Sequence, residues 1–269
     1  MIWFTIALFA VSFLVTALLA PKPDIEDARA GSLEDVQFPR ATEDAPIPLV
    51  LGKVRMNGPN TLWYGGFSSD AITEKVKTGL FSSKHVVVGH KYYLSLDLGL
   101  ALGEGVQMTK IYIDEEEVWT GTTSATVATT GTITETELFG GYKGGGGWSG
   151  GFTYYPGSFP QAVNSHVEGI VGSGDVPGYG GMSHIVFEEN YIGESNNLRK
   201  MAFILEKYTN DLGVTGSGKV GDDINPAEAM YQVVVSDWAG LGVDTSNIDI
   251  AAFKAAGETR YTEGHGCPV

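Results

Sequence analysis

The heptapeptide Gly213-Val214-Thr215-Gly216-Ser217-Gly218-Lys219 has the glycine and lysine spacing that opens a phosphate-binding loop. Such a loop needs Ser or Thr next, to hold Mg²⁺, and a helix whose first amides meet the phosphate. Val220 stands at the first position, and Gly221-Asp222-Asp223 follows, which would repel phosphate. The segment therefore reads as a plain Gly/Ser loop. The five histidines, His85, His90, His166, His184 and His265, are scattered. His85 and His90 sit in an apolar run with no carboxylate beside them. His265 and Cys267 make half a metal site without a second pair nearby, so a frayed C-terminus is the better reading. Glu115-Glu116-Glu117 lacks the spaced ligands of a calcium loop and reads as a solvated turn. No G-x-S-x-G, HExxH or Cys-His signature occurs. Thirty-two acidic residues give no basis for choosing a glycosidase pair. The expectation is a protein that is not an enzyme and has no cofactor or metal.

The elements that would position these residues are mostly strands. The 269 residues are 43% apolar and 18% charged, which fits a folded chain with a real core. One Cys excludes a disulfide scaffold. The formal charge of −15 argues against broad binding to nucleic-acid phosphate. The 37 glycines favour turns and β structure over helical bundles. Strands are expected at Pro48–Arg55, Thr61–Tyr64, His85–Leu102, Thr122–Phe139, Met182–Glu188 and Lys200–Tyr208. Lys110–Ile113 and Val118–Trp119 form a hairpin around an acidic turn. Gly140–Gly151 reads as a flexible loop. A short helix is expected within Gln161–Val171 and another over Ile248–Ala256. The clearest begins at Asn225 as N-cap, with Pro226 at N1 and Glu228 at N3, and runs to about Ala239. The class is α+β: β-rich, with a few short helices, preceded by an N-terminal apolar helix.

Met1–Ala20 carries no charge and would span about 30 Å as a helix, the thickness of a bilayer core. Pro21 and Pro23 end it. A membrane anchor, a leader peptide without the usual basic start, and a helix buried against its own copies all fit. Trp3, Phe4, Phe9 and Phe13 would supply most of its packing or membrane contact. The organisation read from the sequence is this helix at 1–20 and an acidic extended arm at 21–46. A β-rich region over 47–256, one unit or two interleaved subdomains, and a tail at 257–269 follow.

Four blocks then carry a resemblance. Asp44-Ala45-Pro46-Ile47-Pro48-Leu49-Val50-Leu51-Gly52-Lys53-Val54-Arg55-Met56-Asn57-Gly58, with Trp63 and Gly65 after it, is the first. Leu102-Gly103-Glu104-Gly105 with Lys110-Ile111-Tyr112-Ile113 is the second. Tyr155-Pro156-Gly157, Gln161, Val176-Pro177-Gly178-Tyr179-Gly180-Gly181 and Val186-Phe187-Glu188 make the third. Asn225-Pro226-Ala227, Tyr231, Gly240-Leu241-Gly242 and Ile248-Asp249 make the fourth. In this order the blocks resemble the tail hub and tip attachment proteins of long-tailed phages and gene transfer agents, including the hub region of lambda-like protein J. The resemblance implies a structural subunit of a tail tip or baseplate hub in the virion. It implies a homotrimeric ring that closes the tail tube and passes DNA only in transit. The implied partners are a distal tail protein, a tape-measure protein and a central fibre or receptor-binding protein. Contact of Met1–Ala20 with the host membrane during genome ejection is a separate expectation from its apolar length, since the larger relatives often lack such a segment. Receptor binding itself is not carried over. The reading from another class is a membrane-anchored bacterial surface or periplasmic binding protein.

Overall fold

The computed structural model describes residues 26–32, 46–77, 83–141, 144–195, 197–237 and 239–267. Met1–Ala20, with Trp3, Phe4, Phe9 and Phe13, lies outside the described residues. The described chain is α+β and dominated by two antiparallel sheets. The first has the order β2 (Asn60–Lys77), β3 (Ser83–Leu102), β8 (Met182–Gly193), β7 (Trp148–Pro156), β6 (Thr129–Glu135). The second runs β1 (Gly52–Asn57), β9 (Met201–Lys207), β4 (Gln107–Ile113), β5 (Glu116–Thr120).

One core lies between them. Leu94, Leu96, Leu98 and Leu100 alternate along β3 and meet Met108, Ile111 and Ile113 of β4 and Phe203 and Leu205 of β9. The period of two is what a strand needs to put one row on one face. Trp119 of β5 meets Phe152 of β7 edge-on, with ring centroids 5.3 Å apart. The Tyr154 hydroxyl donates to the Val106 carbonyl at 2.8 Å, and burial raises its pKa. β3 is buried continuously from Leu94 to Ala101, so its second face is covered too. The cover is the 157–181 crossover between β7 and β8, which holds the short helix α1 (Ser165–Val171). Val167 and Val176 from this crossover pack on Tyr155, Val186 and Trp63.

Several elements differ from expectation. The first strand starts at Gly52 rather than Pro48. Ahead of it, the Pro48 carbonyl accepts from the Leu102 amide and Leu49 bridges Leu102. The strand at Thr61 continues to Lys77, because β3 offers it a partner throughout. Of Thr122–Phe139 only Thr129–Glu135 is strand. Thr123 instead takes the Met108 amide on its hydroxyl at 2.8 Å, and the Thr129 hydroxyl takes the Ser124 amide at 2.9 Å. The glycine run becomes strand at Trp148, whose indole is fully buried and donates to Asn190 Oδ1 at 3.1 Å. Gly150 permits this approach: a Cβ there would fall 2.5 Å from Asn190 Cγ.

At the C-terminal end, α2 (Pro226–Val235) and α3 (Ile250–Glu263) pack around Leu212, Val214, Ala227 and Tyr231. α2 stops at Val235, where Ser236 leaves the helical region. α3 opens on the Asp249 carboxylate, which caps the Ala252 amide, and continues past Ala256 to a left-handed Gly264. The chain after it is tied down, since the Cys267 amide bonds the Ile224 carbonyl of β11 (Asp223–Ile224).

Candidate functional site

The histidines separate into different settings. His85 and His90 lie on β3 beyond Tyr92, the last residue paired to β8. There β2 and β3 form a two-stranded ribbon, and the arm at 26–32 attaches to it. The Ala28 amide donates to the Val87 carbonyl at 2.9 Å, and the Gly31 amide to the Tyr92 hydroxyl at 2.8 Å. His90 Nε2 lies 3.1 Å from the Ala28 carbonyl. His265 sits 3.3 Å from Glu263, at the exposed end of α3.

His184 and His166 belong to a polar layer between the first sheet and the crossover. The alternation that buries Leu94, Leu96 and Leu98 sends Ser95 and Asp97 to this face. His184 Nδ1 lies 2.7 Å from Asp97 Oδ1, with both side chains 2% exposed. Tyr155 stacks on the His184 ring at 4.5 Å, and Tyr179 of the crossover meets it edge-on at 5.2 Å. Burial raises the phenol pKa of Tyr155, with the Glu188 and Asp97 charges adding to the effect. Next along the layer, Glu188 accepts from the Thr153 hydroxyl at 2.7 Å and from Asn164 Nδ2 at 3.1 Å. Asn164 Oδ1 in turn caps the amides of His166 and Val167.

An Asp–His pair orients an imidazole for base catalysis only if its other nitrogen meets a nucleophile. His184 Nε2 is buried without a partner among the described residues. The Ser95 hydroxyl of the same layer is already engaged, 2.8 Å from His166 Nε2 and accepting the Glu189 amide at 2.9 Å. The Asp97–His184 pair is closed to solvent, the Ser95 and Thr153 hydroxyls are engaged, and the layer's bonds hold the crossover on the sheet. The sequence signal for it was the Leu-Ser-Leu-Asp-Leu alternation at 94–98, which marks a second, polar face.

The other sequence candidates resolve as structure. Lys219 begins β10 (Lys219–Val220), not a helix, and its ammonium lies 3.6 Å over the Tyr208 ring. The Thr215 amide, which a phosphate would need, bonds Glu258 at 2.9 Å. Gly218 is left-handed, and a Cβ on it would meet the Thr209 carbonyl at 1.7 Å. The acidic turn is ion-paired rather than merely solvated: Glu115 holds Arg55 and Glu117 holds Lys110. The Lys110 hydrogen bond lowers the Glu117 pKa, and the pairing raises that of Lys110. Among the described residues, no group of three or more His, Cys, Asp or Glu is placed to hold a metal ion.

The residues of the four sequence blocks bind their own chain. Arg55 bonds Glu115 and Asn57, and its guanidinium carbon lies 4.8 Å over the Tyr112 ring. Gln161 closes the crossover on itself. Its Oε1 accepts from the Gly157 amide at 2.8 Å, and its Nε2 donates to the carbonyls of Gly178, Tyr179 and Met182 at 3.0, 3.2 and 3.1 Å. Asn225 caps α2 through the Ala227 amide and donates to the Gly257 carbonyl of α3 at 2.9 Å.

No protein-family model matches this chain, and no curated protein matches it. Among solved structures, it is similar to a chain in the virion of a native gene transfer agent particle, at 15% identity and a TM-score of 0.39. The match covers 92% of this chain and 46% of that one, so the chain spans under half the length of the structure it resembles.

Proposed function

We propose that this chain is a structural virion protein, a non-enzymatic subunit of the hub at the tip of a phage-like tail. The observation that carries the reading is the ordered set of sequence blocks, together with what their residues do. Arg55, Gln161 and Asn225 each fix a turn, a crossover or a helix cap, which is the work of a scaffold. In this reading copies of the chain, three in number, form a ring that closes the tail tube. Its neighbours are a distal tail protein, a tape-measure protein and a central fibre or receptor-binding protein. The net charge of −15 suits a wall past which DNA slides, because an acidic lumen repels phosphate.

Met1–Ala20 extends the proposal. Among the described residues no helix is long and apolar enough to cross a membrane. The apolar stretch at 1–20 is the segment able to do so. In a free particle it packs copy against copy through Trp3, Phe4, Phe9 and Phe13, and it meets the host membrane when DNA is released.

Cryo-electron microscopy of intact particles tests the hub. Density for the chain at the tail tip with threefold order is expected. Six or twelve copies would refute the trimer, and absence from purified particles would refute the virion role. Mass spectrometry of the virion chain tests the apolar segment: a mature protein starting near Pro21 excludes it. If the segment is retained, Phe9→Asp blocks assembly or DNA delivery, since an unpaired buried carboxylate is strongly disfavoured.

A further inference from the structure

The two-residue turn joining β4 to β5 consists of Asp114 and Glu115, both left-handed, as a tight hairpin turn requires. Each carboxylate holds an arginine from another part of the chain. Asp114 Oδ2 lies 2.8 Å from Arg199 Nη1, while Glu115 pairs with Arg55. Each guanidinium also lies on an aromatic ring: Arg199 is 4.2 Å from the centroid of Phe139, and Arg55 is 4.8 Å from that of Tyr112. The Lys200 amide donates to Asp114 Oδ1 at 3.1 Å, which fixes the backbone between the two cations.

Arg55, Glu115, Arg199 and Lys200 line a cavity of about 670 Å³ where the chain crosses from β1 to β2. Leu198, half-buried, is its accessible apolar wall, over the buried side chains of Leu98 and Met201. A guanidinium carries five N–H donors. Arg55 uses one on Asn57 and another on Glu115, and Arg199 uses one on Asp114. Arg199 Nε is buried with no partner among the described residues. Lys200 is exposed and forms no ion pair among the described residues. Three cations against two carboxylates leave one positive charge, with spare donors held in place, inside a protein that is acidic overall.

We infer that this cavity is a docking site for a segment of another polypeptide, in which an Asp or Glu side chain stands beside an apolar one. The carboxylate takes the free donors of Arg199 and Arg55 and the charge of Lys200. The apolar neighbour covers Leu198. Two arginines already stacked and tethered lose little freedom on binding, and charge-assisted fork contacts are the strong class of hydrogen bond. Nucleic acid is the poorer match. A polyanion needs a broad cationic track, here there is a single excess charge beside an apolar wall, and the chain as a whole repels phosphate. The inference does not depend on the proposed virion role.

The test is binding to the full chain in detergent micelles by fluorescence anisotropy. The probes are a library of blocked pentapeptides with Asp or Glu flanked by apolar residues, their Asn and Gln counterparts, and a 20-base-pair duplex. Some acidic members should bind roughly ten-fold more tightly than their amides, with affinity falling as salt rises. Lys200→Glu, at an exposed position that leaves both arginine pairs intact, should weaken them by a similar factor, and Lys200→Arg should bind as the parent does. Arg199→Gln should abolish binding, with the near-ultraviolet spectrum checking that the fold survives. Equal binding of acids and amides, no saturable binding by any acidic member, indifference to Lys200→Glu, or tighter binding of the duplex would each overturn the inference.

Discussion

Replacing Gln161 separates two accounts of the crossover: one in which its amide is the clasp, and one in which the apolar contacts of Val167 and Val176 suffice. The amide has one acceptor and two N–H groups, and it meets one backbone amide and three carbonyls between 2.8 and 3.2 Å. That is three bonds' worth of donors and acceptors, at about 0.5–1.5 kcal/mol net each. The side chain is half-buried, so water recovers part of the loss, and Gln161→Ala should cost about 2 kcal/mol. Gln161→Glu is nearly isosteric and keeps the acceptor for the Gly157 amide. It replaces the donor with a carboxylate facing three carbonyl oxygens. At neutral pH it should therefore be less stable than the alanine variant by about 1 kcal/mol or more, and at pH 4 the gap should close as the carboxyl regains a proton. Denaturant unfolding gives the totals. Amide exchange locates the effect, because the Gly181 amide bonds the Gly157 carbonyl and should lose protection first. A glutamate variant as stable as the parent, or more stable than the alanine variant at pH 7, would refute the clasp.

Three further outcomes follow from buried groups. Trp148→Phe keeps most of the ring but strands Asn190 Oδ1, at a cost of about 1–3 kcal/mol in thermal or denaturant unfolding. Asp97→Ala leaves the buried His184 Nδ1 without its partner and should cost about 1–3 kcal/mol, whereas combining it with His184→Phe should cost less than the sum of the two single changes; additive losses would contradict the pairing. Glu228 is fully buried, and burial holds its carboxyl above the ordinary range despite the amides of Asp211 and Leu212. The native state therefore takes up its proton before the unfolded chain does. Stability relative to Glu228→Gln should rise as pH falls from 7 through that raised pKa, and should level off below the ordinary glutamate pKa. A difference that shrinks on acidification would show the opposite sign.

Much of the frame can be read locally. Tyr92 to Leu102 announces β3 through its leucines, and Asn225-Pro226 announces the start of α2, because cap and first turn are decided by neighbours in sequence. Glu228 shows where local reading stops. It stands at N3, yet its carboxylate accepts from the Leu212 amide at 2.9 Å, a partner the helix pattern does not contain. Trp148 is a second case. Flanking glycines describe a loop, but pairing with Glu135 and the Asn190 bond make it a strand. The Asp97–His184 pair joins positions 87 residues apart, which no spacing rule connects. The basic cavity is illegible for the same reason, since Arg55, Asp114 and Arg199 meet only once β1, β4 and β9 share a sheet.

That sheet also sets an order on synthesis. Among the described residues, β1 pairs with β9 and has no other strand beside it in its sheet. Roughly 150 residues separate the two, so at about 5–20 residues per second the ribosome delivers the partner some 7–30 s after β1 has emerged. During that interval β1 lacks the strand it pairs with, although the β3 and β4 side chains that share its core have already emerged. A nascent chain stopped short of Met201 would carry β1 with both edges unpaired, the kind of edge that recruits other strands. Productive folding of the N-terminal strand is thus a late event, governed by residues read far downstream.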